Sequence, residues 1–316
     1  MLIKRRIDMN IACFDIGGTF IKYAVINEKG EILFKDKFPT PRANCKIVIP
    51  ELLVEKIKEV SNYFKIDAAG ISTAGQVDSS KGEIVFATEN LPGYTGAKIS
   101  QHLRDELNIP SYVENDVNAA AAGEMWMGAG MGKKNFVCIT LGTGVGGAII
   151  IDGKLYKGIS GAAGELGHIS INEEGEECTC GCAGCLERYA STSAFIRAYK
   201  DAARKAGIEA ADANGENIME LVRNGDAVAV QVYKEFLSHV GTGLASIVHI
   251  LDPGLIVVGG GISAQGQIFI DELKEAFASK AMKSYVDHTD IVSAKLMNDA
   301  GVFGACYLTL NMLGVI

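Results

Sequence analysis

The order of apolar and polar positions divides the chain into short strands and longer helices. IACFDIGG at 11–18 is an apolar run ending in glycines, FIKYAVIN at 20–27 alternates, and EILFKDKF at 31–38 follows the turn Asn27-Glu28-Lys29-Gly30. This predicts a three-stranded meander. Leu53, Ile57, Val60 and Phe64 recur at helical spacing and predict a helix over 51–64. IDAAGIST at 66–73 reads as a buried strand ending in a turn around Gly75, QHLRDELN as a short helix and SYVEN as a strand. A small-residue helix follows from Asp116. Near residue 136 the opening pattern returns: NFVCITLG, then VGGAIII, the hairpin signal Asp152-Gly153, and KLYKG. Helices are predicted near 192–206, 227–250, 267–279 and 300–314, with strands at GLIVVGGG and IVSAKL.

Strand, glycine turn, strand, hairpin, strand thus occurs twice, which predicts two related α/β domains. The expected division is a smaller N-terminal domain, 1–119 plus 300–316, and a larger C-terminal domain, 120–299. The length of 316 residues suits either two domains or one large one. Glycine is the compositional anomaly: 37 residues are present, where average usage gives about 22. The surplus points to special backbone conformations at particular places. A net charge of −8 lowers the prospect of a nucleic-acid partner. No apolar run approaches the ~20 residues of a membrane span. The opening MLIKRRIDMN lacks the apolar stretch of a secretion signal, and Met9 is an alternative start. A cytoplasmic protein is expected. Of the eight cysteines, Cys178, Cys180, Cys182 and Cys185 lie close together, which suits a metal site better than a disulfide framework.

Three glycine turns stand out: Asp15-Ile16-Gly17-Gly18-Thr19, Gly142-Thr143-Gly144-Val145-Gly146-Gly147 and Gly259-Gly260-Gly261. Each is explained by a tight hairpin when taken alone. Three together, two at equivalent points of a duplicated unit, favour backbone N–H groups facing phosphate oxygens. None has the spacing of a Walker A loop, and the first two lead into strands, not helices. Asp15 at such a turn suits Mg2+, directly or through its waters. Lys22 is either a phosphate-facing charge or a solvated strand lysine. Glu114-Asn115-Asp116 joins a strand to a helix, so Asp116 is either a helix cap or a base for a substrate hydroxyl. Asn115 offers both a donor and an acceptor to sugar hydroxyls. His168, ten residues before four clustered cysteines, suits zinc held by nitrogen and sulfur. Spacing alone leaves the ligand set open among the five. The same loops carry Glu165 and Glu187, which are either surface glutamates or acceptors for sugar hydroxyls.

In chain order, DIGGT, ENDVNAAAAGE, LGTGVGG, GELGH and CTCGCAGCLE closely resemble the ROK family of sugar kinases, across essentially the whole chain. The resemblance implies the actin/hexokinase-like (ribonuclease H-like) fold, with two related α/β domains and a cleft between them for sugar and ATP. It implies Asp116 as catalytic base. It assigns Asp15, Gly17, Gly18, Thr19, Lys22, Gly142, Thr143, Gly144, Gly260 and Gly261 to the nucleotide. It assigns structural zinc to His168, Cys178, Cys180 and Cys185, leaving Cys182 as an extra thiol. Sugar contacts fall to Asn115, Asp116, Glu165, His168 and Glu187. ISTAGQVD…ATEN matches the family's sugar-binding loop and adds Gly75, Gln76, Thr88 and Asn90.

The implied activity is ATP-dependent phosphorylation of the 6-hydroxyl of a hexose or N-acetylhexosamine, with Mg2+. GISTAGQV resembles the loop of N-acetylmannosamine kinases, while ENDVNAAAAGE and GELGH fit glucokinases equally well. N-acetylmannosamine and glucose are therefore rivals, ahead of fructose, allose, N-acetylglucosamine and β-glucosides. The repressor branch of the family carries a helix-turn-helix domain before DxGGT, and 14 residues before Asp15 leave no room for one. A homodimer is expected, with neither nucleic acid nor membrane as partner.

Overall fold

The computed structural model describes residues 8–316. The expectation about a secretion signal rests on the opening residues 1–7 and lies outside the described residues. The chain divides into two compact units. One contains the residues up to Lys133, the segment Lys157–Ala163 and Lys295–Ile316; the other contains Lys134–Tyr156 and Gly164–Ala294.

The first unit opens with strands β1 (Asn10–Ile16), β2 (Phe20–Asn27) and β3 (Ile32–Pro39). Helix α1 (Cys45–Val60), strand β4 (Ala68–Thr73) and the hairpin β5 (Gln76–Asp78) and β6 (Glu83–Phe86) follow. Helix α2 (Ile99–Leu107), strand β7 (Ser111–Asn115) and helix α3 (Asp116–Met127) complete this stretch. The main sheet has the order β3-β2-β1-β4-β7, antiparallel on the β3 side and parallel on the β7 side. Successive side chains of a strand face opposite ways, and β1 shows the consequence. Ala12, Phe14 and Ile16 join the core shared with α1 and α2, while Ile11 and Cys13 join a second core.

The second unit repeats the plan with β8 (Phe136–Leu141), β9 (Val145–Ile151) and β10 (Lys154–Leu155). Helices α4 (Glu187–Ala190), α5 (Thr192–Lys205), α6 (Gly215–Arg223) and α7 (Ala227–Leu251) follow, then β11 (Leu255–Gly259), α8 (Gln267–Ala278), α9 (Lys283–Val286) and β12 (Asp290–Ser293). Its sheet order, β10-β9-β8-β11-β12, matches that of the first position for position. α5, α7 and α8 supply most of its helical core, through Phe195, Phe236, Val240, Leu244, Phe269 and Phe277.

Helix α10 (Ala300–Met312) returns to the first unit and packs along α3, β1 and β4. Small residues permit this close approach. A Cβ at Gly304 would fall on the backbone carbonyl of Ala119, so only glycine fits there. This packing keeps the whole of α3 in the first unit. The chain therefore first leaves that unit after Lys133, where 119 was expected, returns to it over Lys157–Ala163, and rejoins it finally at Lys295, where 300 was expected.

Three local expectations change. Helix α1 begins at Cys45, six residues before the expected start, with Pro50 inside it. Burial of Cys45, Ile49 and Pro50 extends its apolar stripe and offsets a backbone bond that proline cannot make. The segment after Gly75, expected only as a turn, forms the β5–β6 hairpin. The expected strand KLYKG shrinks to Lys154–Leu155, because Lys157 already belongs to the first unit. Among the described residues no helix is long and apolar enough to cross a membrane.

Candidate active and metal sites

In the first unit, Asp15 lies near the end of β1, between its register partners Lys22 on β2 and Ser72 on β4. Laterally paired residues point to one face of a sheet. Their side chains meet accordingly: Lys22 Nζ donates to Asp15 Oδ2 at 3.2 Å, and Ser72 Oγ to Asp15 Oδ1 at 2.9 Å. Lys22 Nζ also donates to the carbonyl of Asn298 at 3.0 Å. Gly301, in the first turn of α10, lies over the same carboxylate, and a Cβ there would stand 2.5 Å from Asp15 Oδ1. Ser72 and Gly301 are absent from the sequence-based set. Their signal is the parallel β1–β4 register and the helix laid across it, which a linear reading does not contain. Gly17 closes the following turn by donating to the carbonyl of Phe20 at 3.2 Å, with Gly18 half-buried and Thr19 exposed.

Asn115 and Asp116 join β7 to α3. Asn115, not Asp116, is the helix cap: its Oδ1 accepts from the N–H groups of Val117 at 2.9 Å and Asn118 at 3.2 Å. Its Nδ2 donates to the carbonyl of Gly75 and to Asp116 Oδ1, each at 3.0 Å. Both donors and both acceptor positions of the Asn115 amide are thus occupied by protein partners. Asp116 also accepts from Val117 N–H at 3.0 Å, again on Oδ1. Burial, and then the neighbouring Asp15 carboxylate, push the pKa of Asp116 up to about 6. Gln76, Thr88 and Asn90 are exposed in this unit, the latter two beyond the end of β6.

In the second unit, Gly142, Thr143 and Gly144 form the turn between β8 and β9, the counterpart of the Asp15–Thr19 turn. Gly142 N–H donates to the carbonyl of Gly144 at 2.9 Å. Glu187, at the start of α4, accepts from Val145 N–H at 2.9 Å, and its carboxylate lies against Gly144. The structure therefore sets an expected sugar residue beside an expected phosphate turn. Gly260 and Gly261 are exposed at the end of β11.

His168, Cys178, Cys180 and Cys185 converge, with one ligand atom from each lying within 4.8 Å of all the others. Cys180 and Cys185 sulfurs are 3.5 Å apart, and Cys178 Sγ is 3.6 Å from His168 Nδ1. A tetrahedral zinc with sulfur at ~2.3 Å sets ligand edges of about 3.8 Å, so the donor set and its spacing both fit. The other ring nitrogen of His168, Nε2, is 3.9 Å from Glu165 Oε2. Cys182 is exposed and stands outside the quartet, with its carbonyl accepting from Cys178 N–H at 2.7 Å.

The sequence profile of the ROK family matches residues 11–312. A glucokinase of Thermotoga maritima is 33% identical over 310 residues, covering 95% of this chain and 97% of its own. Among solved structures, a ROK family glucokinase from Streptomyces griseus in complex with glucose and AMPPNP is 36% identical, with a TM-score of 0.79 over 95% of this chain and 98% of its own. A putative N-acetylmannosamine kinase from Listeria monocytogenes is 29% identical, with a TM-score of 0.83 over 96% and 100% of the two chains.

Proposed function

The chain belongs to the ROK family, and from that premise we propose that it is an ATP-dependent sugar kinase that phosphorylates the 6-hydroxyl of a hexose, with glucose as the first choice. The observation that carries this reading is the environment of Asp116. Its Oδ1 is fixed by Asn115 and Val117, and its pKa of about 6 leaves it ionised at neutral pH yet more basic than a free carboxylate. The side chain accepts the hydroxyl proton late, as the sugar oxygen attacks phosphorus. N–H groups of the Asp15–Thr19 and Gly142–Gly144 turns, with Gly260 and Gly261, face the nucleotide phosphates, and Lys22 adds positive charge. Asp15 is the group suited to Mg2+ of the nucleotide. Gly75, Gln76, Thr88, Asn90, Asn115, Glu165, His168 and Glu187 form the sugar-binding set.

His168, Cys178, Cys180 and Cys185 would hold zinc with all four positions filled by protein, so its part would be structural. It fixes the loops that carry Glu165 and Glu187. His168 serves both roles, with Nδ1 turned to the thiolates and Nε2 toward Glu165. A cytoplasmic homodimer is the proposed state of the enzyme.

Glucose ranks first because named glucokinases stand at 33% and 36% identity over nearly the whole chain. N-acetylmannosamine is the second reading, favoured by the segment ISTAGQV and by the Listeria monocytogenes structure. A coupled ADP assay over a panel of hexoses and N-acetylhexosamines separates them. The expected result is the highest kcat/KM on glucose. A higher value on N-acetylmannosamine would transfer the assignment, and no sugar-dependent ADP release would refute both.

A further inference from the structure

Glu114 is 2% exposed, yet it is a carboxylate one residue before Asn115. Its Oε2 accepts from Ser79 Oγ at 3.1 Å and from Tyr112 Oη at 3.0 Å, and it pairs with Lys157 Nζ. Its Oε1 accepts from Asn115 N–H at 3.1 Å and from Asn118 Nδ2 at 3.2 Å. Lys157 spends its remaining protons on Ser79 Oγ and Tyr112 Oη, both at 2.9 Å. Among the described residues it is the one cation that reaches Glu114. Burial lowers the pKa of Lys157, but Glu114 and Tyr112 more than offset it, so the ammonium stays charged.

The bonds run in one direction toward the chemistry. Lys157 neutralises Glu114; Glu114 fixes the backbone of Asn115 and the side chain of Asn118; Asn115 holds Asp116 Oδ1. Without the ammonium, a buried carboxylate is left uncompensated, which is costly enough to rotate it out or to pull its partners apart. Either change loosens the β7–α3 junction that aims Asp116. We infer that Lys157 is a positioning residue for phosphoryl transfer, acting through Glu114 on the Asn115-Asp116 pair. The inference rests on Asp116 being the base. It also gives a reason for the segment Lys157–Ala163 to belong to the first unit although both its flanks belong to the second.

The test compares full-length K157M, K157R, E114Q and the neutral pair E114Q/K157M by kcat, KM for sugar and ATP, and thermal unfolding. Misplacement by about 1 Å costs up to ~100-fold, so K157M is expected to lose between about 10- and 100-fold in kcat, with KM for ATP within about twofold. K157R, which keeps the charge but not the shape of the ammonium, is expected to retain clearly more of the native kcat than K157M. The loss in E114Q/K157M is expected to be smaller than the product of the single losses, because the two residues act as a unit. Equal losses in K157M and K157R, a near-native kcat in K157M, or additive losses in the pair would each overturn the inference. If K157M does not fold, E114Q decides: a fall in kcat at unchanged KM for ATP supports the positioning role, and a native kcat overturns it. D116A keeps the two assignments apart. Lost turnover in D116A with native turnover in K157M sinks only the positioning role, and native turnover in D116A sinks the base on which it depends.

Discussion

Asp116 is an acid whose surroundings work against its ionisation. Burial and the Asp15 carboxylate both disfavour the charged form, while hydrogen bonds from Val117 and Asn115 favour it. The raised pKa sets the direction of the pH dependence. Below about 6 the carboxyl is protonated and cannot accept the hydroxyl proton, so kcat/KM for sugar is expected to fall about tenfold per pH unit there. Removing the second cause, in D15N, should move this acid limb of the residual activity to lower pH. A limb near pH 4 in the native enzyme, or one that D15N leaves in place, would contradict the role given to these carboxylates. The place of Asp116 between strand and helix was legible in the sequence. Its neighbour was less so: sequence offered Asp116 as a helix cap, and the structure gives that task to Asn115. Both residue types cap well, and the choice depends on where β7 ends, which a linear pattern locates only approximately.

At the scale of elements, the end of α3 depends on Glu124, the last residue of ENDVNAAAAGE, to which sequence alone assigned no role of its own. Glu124 is fully buried and accepts from three backbone N–H groups: Ala129 at 2.6 Å, Lys295 at 3.1 Å and Leu296 at 2.7 Å. It ties the end of α3 to the chain that leads into α10. Gln at this position would present an NH2 group to donors, so E124Q is expected to lose about 3 kcal/mol of stability, from charge-assisted bonds lost and donors left unpaired. Denaturant unfolding reads this, and a loss under about 1 kcal/mol would show the staple to be dispensable. The metal loop makes the opposite case. Its ligand types were plain in the sequence, but spacing left five candidates, and only the fold separates the quartet from the exposed Cys182. Metal analysis of the purified protein should give about one zinc per chain, and C180S should lose most of it. A folded, metal-free native protein would contradict the site. The β5–β6 hairpin was missed because strands of three and four residues are too short to show alternation, whereas α6 was missed although Ile218, Met219, Leu221 and Val222 fall at helical spacing behind the Asn214 cap.

At the scale of the whole molecule, the duplication was the most legible feature. Two runs of strand, glycine turn, strand and hairpin were enough to anticipate two related α/β units, and the structure adds that their sheets share one strand order. The unit boundaries were less legible, because nothing in the local pattern says that Lys157–Ala163 belongs to the first unit or that α3 stays whole within it. Those assignments come from long-range contacts: the Lys157 pair with Glu114 and the small-residue packing of α3 against α10. The surplus of glycine also divides on inspection. Gly301 and Gly304 serve close helix packing, and only some of the remainder lie at the three glycine turns proposed to face phosphate.

The central claim is that the chain moves a phosphoryl group from ATP to a sugar with Asp116 as base. The most direct test is sugar-dependent ADP release by the native protein and by D116A, with sugar binding measured on both by calorimetry. The expected result is ADP release by the native protein only when sugar is present, and a loss of about 100-fold or more in D116A with sugar binding retained. Unchanged turnover in D116A would contradict it.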